Sequence, residues 1–465
     1  MRQTTLDVPR LRRPALLNAA EYWLAPARFT DRCETLGDRF QVPMPATGPW
    51  LCLTHPDDVK RVFTADTDVL RLGAALAKAS PHPLVLGPSG LTNVDGAEHG
   101  RRRRVQNPPF HGHALANYEA TMRRKTEQAL ARWPYGVSTP TLPAMQSITL
   151  EVIMAAVFGV TDPTRLERLR AAIVALLREG NSRRFLVQTM IASSRPNGWD
   201  GPFPRMRRAV AGVDAVVREE IDARRNTGNL DRDDVLGVLL RAPDEQGSVM
   251  TDAELCDAMR TLLLGGHDTT ATTLAWVFER IARHPDVLAR VEAAAHEGND
   301  AYLDAVIKET MRLRPVFPIT GRLAAEDFEL PGLTIPRGTM VVPYITLVNR
   351  RPDLYDDPHA FRPERFLDTR VSTYSWIPFG GGRRRCLGAA FALIEARIVL
   401  ATILCNARIQ PTAQRPERVG RSTVTIVPAR GARIVLRPKQ SATGDAANPT
   451  QTQWPNHHVA SPASG

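Results

Sequence analysis

Apolar and polar positions recur along this chain with two periods, and the helical one dominates. Near the N-terminus, Phe40–Met44 and Trp50–Thr54 are short apolar runs separated by Pro45-Ala-Thr-Gly-Pro49, which suits a β-hairpin. Pro56 to Phe63 reads as a short helix. From Leu70 to Asn93 the pattern breaks into Ala, Leu, Pro and Gly without a period, which predicts a long loop. Helical spacing returns over Tyr118–Arg132, Thr149–Val157, Arg165–Glu179 and Pro204–Arg225. The longest helix opens at Thr251-Asp-Ala-Glu254, a capping box, and continues to His284. Its middle is apolar on almost every side, the mark of a buried helix. A further helix over Asp300–Arg314 stops at Pro315. Short strands follow at Phe328–Leu330 and Thr339–Ile345. A glycine-rich loop then leads into an apolar helical stretch, Ala389–Leu404, and Val424–Val427 with Ile434–Leu436 predicts a last hairpin. The fold class expected is mainly α with a small segregated β region, α+β.

The chain has 465 residues and no linker divides it. One domain is expected from residue 20 to 437, between an N-terminal arm (1–19) and a tail (438–465) too poor in apolar residues to order itself. No stretch reaches the ~18 consecutive apolar residues of a bilayer span. Leu16–Ala25 is interrupted by Asn18 and Glu21 and has no signal-peptide layout. Cysteines at 33, 52, 256, 386 and 405 form no disulfide framework, which points to a reducing, cytoplasmic setting. The net charge of +11 raises the question of nucleic acid. Its arginines are spread along helical segments, however, without zinc-finger spacing, an RNP-like strand or a basic tail, so no nucleic-acid partner is expected.

Chemistry concentrates in Phe379-Gly-Gly-Gly-Arg-Arg-Arg-Cys386-Leu-Gly388. Glycines permit close backbone approach, and an arginine cluster with a following helix N-terminus favours a thiolate. A buried free cysteine after a Gly-rich turn is the plainer reading of the same string. The central helix holds a second anomaly, Gly265-Gly-His-Asp268-Thr269-Thr270, an acid and two hydroxyls inside an apolar run. Burying an unpaired carboxylate is costly, and threonine hydroxyls can bond back to helix carbonyls and bend the helix. An Asp on a narrow wet face is the structural alternative. Glu309 and Arg312, at i and i+3, are neighbours on one helix face and can pair.

The spacing Phe-x-x-Gly-x-Arg-x-Cys-x-Gly resembles the haem-binding loop of the cytochrome P-450 family, whose cysteine thiolate ligates haem iron. The resemblance extends, in the family's order, through His99-Gly-Arg-Arg-Arg103, Gly265–Thr270, Glu309-x-x-Arg312, Gly321-Arg322 and Pro363-Glu-Arg365-Phe366, from about residue 90 to 390. It implies haem b held by Cys386, with Phe379 in the loop and His99, Arg103, Arg322 and Arg384 meeting the propionates. Of Arg101–Arg104 only one, Arg103, is expected to face them; the others are expected to be solvated or to form a donor-docking surface. Asp268 and Thr269 are implied as the acid–alcohol pair that delivers protons during oxygen activation, with His267 structural. Glu309, Arg312 and Arg365 are implied as a buried network behind the cysteine loop.

The activity so implied is that of a bacterial-type monooxygenase hydroxylating a hydrophobic small molecule such as a lipid, fatty acid, terpene or steroid. Pocket walls are expected from Leu72–Leu91, Leu262–Gly266, Val316–Thr320 and the hairpin near Thr423–Thr425. No Gly-x-Gly-x-x-Gly turn opens a helix and no length is spare for a flavin domain. Electrons are therefore expected from a separate ferredoxin and its reductase, docking near Arg383 and Arg385. Two rivals are a haem-thiolate enzyme that uses peroxide or rearranges its substrate, and a non-catalytic haem-binding protein. The presence of Asp268-Thr269 argues against both.

Overall fold

Proline and capping residues set where the helices begin. Pro56, Pro163, Pro204 and Pro285 each occupy the first helical position, where a missing N–H costs nothing. At Thr251 the anticipated capping box forms in full and starts the 32-residue central helix Asp252–Arg283. Gly228 and Gly298 end helices in the left-handed conformation that suits a residue without a Cβ. The computed structural model describes residues 6–160, 162–193, 203–367, 372–412, 415–422 and 425–439.

The central helix is buried along most of its length and packs against Thr141–Ile153, Pro204–Thr227, Asp300–Leu313 and Ala389–Asn406. Thr141–Phe158 and Ala389–Asn406 are long and apolar enough to cross a membrane, but 78% and 56% of these spans are buried inside the protein. Their apolar residues belong to the same core as those of the central helix. A small sheet stands apart from this bundle. Its strand order is Arg39–Val42, Trp50–Leu53, Met340–Pro343, Arg322–Ala324, Leu70–Arg71. The expected hairpin is its first pair, with Phe40 opposite Cys52, and Trp50–Leu53 then runs parallel to Met340–Pro343.

Two expectations need correction. Leu70–Asn93 is not one loop: it holds a two-residue strand, Leu70–Arg71, and helices Leu72–Ala79 and His82–Leu86. These short elements are fixed by long-range contacts, such as Leu70 paired with Ala324 and Gly73 N bonded to Asp95, which no local period announces. Nor do the last two apolar runs pair with each other. Val419–Ser422 pairs with Thr425–Pro428, while Arg433–Ile434 joins Thr139–Pro140 and Leu436–Pro438 joins Ala407–Ile409. Thr423 and Val424, expected in a pocket wall, lie outside the described residues, as does the tail from residue 440.

Glu309 and Arg312 are both fully buried and form a bidentate pair, Nε to Oε2 at 2.7 Å and Nη2 to Oε1 at 2.8 Å. Arg312 also donates to the carbonyls of Asn349, Pro358 and Ala360, and the Arg362 N–H reaches Glu309 Oε1. Arg365 approaches Glu309 at 3.5 Å. The network thus ties the helix Asp300–Leu313 to the 349–365 meander. Tyr355 stacks under the Arg312 guanidinium and bonds Ser375 O; next to it, Trp376 bonds Lys308 O and packs edge-on against Phe379. Removing one partner of such a pair strands a buried charge and costs about 3–5 kcal/mol. Glu309→Ala should lower stability by that order in urea unfolding, whereas an unchanged midpoint would show that the pair does not hold the meander.

Candidate active site

The cysteine loop can take its path only because of its glycines. Gly380 and Gly382 have φ of +67° and +60°, and a Cβ at Gly382 would lie 1.8 Å from the Phe63 carbonyl oxygen. A Cβ at Gly381 would meet the Phe63 ring at 2.6 Å. The loop therefore rests directly on the helix Pro56–Thr64, turns through Gly382–Arg384, and returns so that Cys386 N donates to Phe379 O at 2.9 Å. The helix Ala389–Asn406 starts immediately after Gly388.

Protein surrounds Cys386 on nearly every side, yet the residue keeps accessible surface, so it faces an internal space. Burial raises its pKa; the Gly388 N–H and the charges of Arg103 and Arg385 act in the opposite direction. Burial also pushes the Cys33 and Cys256 thiols up, to about 12 and about 11, and carboxylates beside them add to the effect. Arginines beside Cys33 and Cys256 oppose those carboxylates, whereas the charged neighbours of Cys386, Arg103 and Arg385, both favour its ionised form.

The four groups expected at the propionates come together. His99 is buried and its pKa falls to about 3, through burial first and then the charges of Arg384, Arg103 and Arg322. Arg322 is pushed down to about 10 by burial and by Arg384, and Arg384 likewise by burial, with Asp95 opposing. Among the described residues the hydrogen-bond partners of Arg322 are neutral, Thr320 Oγ1 and Gly321 O. Arg384 bonds the carbonyls of Leu91 and Val94 and the Asp95 carboxylate, which is shared with the N–H groups of Gly73 and Ala74; its buried Nε has no partner. Of the arginine run, Arg101, Arg102 and Arg104 pair with Glu98, Asp244, Glu245 and Glu254. Arg102 is buried, against the expectation of a solvated charge, whereas Arg104 and its partner Glu245 are both exposed, as that expectation has it. No ion pair is recorded for Arg103 among the described residues, and its pKa falls through burial while the Cys386 sulfur supports its charge.

On the central helix, Thr269 Oγ1 donates to Gly265 O at 2.7 Å, the back-bonding expected of a helical threonine. Gly265 is exposed in the middle of this buried helix, and a Cβ added there would meet nothing within 4 Å. The neighbouring helix Thr141–Ile153 grips the same turn from behind. Gln146 Nε2 donates to Asp268 Oδ1 at 2.7 Å, Thr149 Oγ1 lies 3.0 Å from His267 Nδ1 and donates to His267 O, and a Cβ at Gly266 would strike Ile153. His267 is buried against that helix, as expected of a structural residue. Asp268 faces the flanking helix and not Thr269, so the acid and the alcohol are adjacent in sequence but separately held.

The donor set fits haem b. A thiol with cationic neighbours suits the iron, and an acid-poor group of buried arginines with an unused N–H suits two carboxylates. A family model described as "Cytochrome P450" matches residues 14–434. The chain belongs to the cytochrome P-450 family. Among curated relatives it is 39% identical over 403 residues to "Putative cytochrome P450 137" of Mycobacterium tuberculosis, covering 86% of this chain and 83% of that one. It is 40% identical over 430 residues to "Putative cytochrome P450 135B1" of Mycobacterium bovis, covering 90% and 89%. Two solved structures share the fold at 22% identity. A retinoic acid-bound cyanobacterial CYP120A1 has a TM-score of 0.77, covering 93% of this chain and 99% of that chain. A cytochrome P450DA haem domain has a TM-score of 0.78, covering 93% and 97%. Membership of the cytochrome P-450 family makes the chain a haem-b-dependent monooxygenase of bacterial type.

Two residues at the site carried no motif. Gln146 is visible only as a polar position three residues before Thr149 on an apolar helix. Glu395 is an acid within the apolar run Ala389–Asn406, 1% exposed, with neither oxygen hydrogen-bonded. It lies near enough to Thr270 for that hydroxyl to ease its charge slightly, but burial dominates and raises its pKa well above the ordinary value. Burial thus favours the protonated form of Glu395. A raised folded-state pKa means that its contribution is full below pH 4.5 and is lost as pH rises toward the folded value, by about 1.4 kcal/mol per pH unit. Glu395→Gln should therefore flatten the decline in unfolding free energy above pH 4.5; an unaltered pH profile would show that the carboxyl is not held neutral.

Proposed function

We propose that the protein hydroxylates a hydrophobic small molecule, using O₂ and electrons delivered by a separate ferredoxin-type donor and its reductase in the cytoplasm. The convergence of His99, Arg103, Arg322 and Arg384 beside the Cys386 loop carries this reading. Cys386 Sγ would hold the iron, and the four cationic or imidazole groups would hold the propionates. Phe379 supports the loop through its carbonyl, which takes the Cys386 N–H. When bound, the haem supplies the iron centre at which O₂ is activated.

The chain's own residues manage protons and access. Thr269 Oγ1, anchored on Gly265 O, is a hydroxyl placed on the helix face that carries accessible surface. Asp268, held by Gln146, is the group that can collect a proton and pass it inward when that bond exchanges. Helix His82–Leu86, none of whose residues is fully buried, joins this face where Thr261 Oγ1 bonds Leu86 O. Its Leu84 and Val85 pack partly against the core, which supports an apolar substrate. Arg383 and Arg385 are exposed beside the cysteine loop, where an acidic donor would approach. Five free cysteines support a reducing compartment.

Cys386→Ala should abolish the thiolate-type carbon monoxide difference spectrum of the reduced protein; its persistence would falsify the ligand assignment. Thr269→Ala should keep haem and ligand binding while diverting reducing equivalents to hydrogen peroxide, with product per NADH falling at least about tenfold. Unchanged coupling with a compound that shifts the haem spin state would remove Thr269 from the proton route.

A further inference from the structure

His82 is the one polar side chain of the short helix His82–Leu86, whose other residues are Pro, Leu, Val and Leu. Protein surrounds it on nearly every side, yet the residue keeps accessible surface, the same condition as Cys386. It therefore faces an internal space rather than bulk solvent or a packed core. Burial pushes its pKa down to about 4, which favours the neutral ring at about pH 7.

Packing on both sides of His82 says which space this is. After it, the chain is pressed onto the central helix. Thr261 Oγ1 bonds Leu86 O, and a Cβ at Gly90 would lie 2.8 Å from Thr261 Oγ1. At Gly87, where φ is +82°, a Cβ would collide with the Asp257 carboxylate. Thr261 and Gly265 are one turn apart on the same helix face, and Gly265 is the exposed position of that face. Before His82, the helix Leu72–Ala79 is fixed by Asp95, which takes the N–H groups of Gly73 and Ala74 and pairs with Arg384. A Cβ at Gly321, next to Arg322, would meet Ala75 of the same helix at 3.9 Å. His82 thus stands between the buried arginine group and the open face of the central helix, in the wall of the cavity.

One of the two ring nitrogens is already committed. Nδ1 lies 3.0 Å from Ser80 Oγ, and the single hydroxyl proton of Ser80 is donated to Leu76 O at 3.4 Å. Nδ1 therefore carries the ring proton and donates it to Ser80 Oγ, which leaves a lone pair on Nε2. No hydrogen bond is recorded for Nε2 among the described residues, and it is not one of the sealed polar atoms that lack a partner. An open lone pair accepts only from a donor. A ligand that displaces its water without supplying such a donor loses affinity.

We infer that His82 is a specificity-determining residue, whose Nε2 accepts a hydrogen bond from a hydroxyl group on an otherwise apolar substrate. The inference rests on the monooxygenase reading above and narrows its substrate class to hydrophobic alcohols. Leu84, Val85, Leu262 and Leu264, all partly buried, supply apolar surface for the rest of the molecule. A ketone at the same place would set one lone pair against another.

The test is calorimetric titration of the haem-loaded protein with two matched pairs, cyclododecanol with cyclododecanone and menthol with menthone. In at least one pair, wild type should bind the alcohol about fivefold or more tightly than the ketone. His82→Leu should erase that preference without weakening ketone affinity or altering the carbon monoxide spectrum. His82→Gln, whose amide oxygen can accept, should restore part of it. Equal affinity within both pairs, a wild-type preference for the ketone, no binding of either alcohol, or a preference that survives in His82→Leu each overturns the inference. The wild-type comparison decides the matter even if His82→Leu folds poorly. A normal thiolate-type spectrum with any of these failures leaves the monooxygenase reading intact, so the two can fail separately.

Discussion

One sulfur atom has to be presented to the protein interior in a form that can carry negative charge, and burial works against this. The protein answers with backbone geometry and fixed positive charge. Gly381 and Gly382 allow the loop to lie against Phe63 closer than any side chain permits, which brings Cys386 inward. The Gly388 N–H, Arg103 and Arg385 then lower the cost of ionisation. A metal would complete what these groups only begin, since iron binding replaces the thiol proton. The surrounding arginines are in the complementary condition: Arg322 and Arg384 are buried with too few acids to neutralise them. A dianionic cofactor bound through iron resolves both imbalances together.

The rest of the fold serves to keep this arrangement from relaxing. The Glu309–Arg312 pair lies behind the cysteine loop, and its contacts pass through Tyr355, Ser375 and Trp376 to Phe379. Buried ion pairs contribute little net stability, but they allow few alternative geometries. On the opposite side, Gln146, Thr149 and Ile153 restrain the Gly265–Thr269 turn from a second helix. Glu395, whose oxygens have no hydrogen-bond partner among the described residues, lies between the two sides and outside both networks. Its unfavourable burial next to Thr270 marks the interface between the cysteine helix and the central helix.

What could be read from the sequence is what local rules control. Helix starts at Thr251, Pro204 and Asp300 appear where caps and prolines place them, and the expected 40–54 hairpin forms, with its strands closing at Val42 and Trp50. The cysteine string and the Asp268-Thr269 pair were legible because their chemistry needs particular residues at fixed spacing. The region 70–93 was not, because its strand and two helices are held by partners more than twenty residues distant, including Asp95 and Ala324. The strands after residue 419 were misassigned for the same reason: partner choice among short apolar runs is settled by what the core leaves free. The burial of Arg102 was not legible, since its partner Glu254 lies about 150 residues away.

The central claim is that sulfur from this chain meets iron. X-ray absorption at the iron edge of the purified ferric protein, reconstituted with haem b, measures this without reference to substrate or electron donor. One sulfur among the iron's nearest neighbours, absent when Cys386 is replaced by alanine, is the predicted result. A coordination shell made only of nitrogen and oxygen in the unaltered protein would contradict the account.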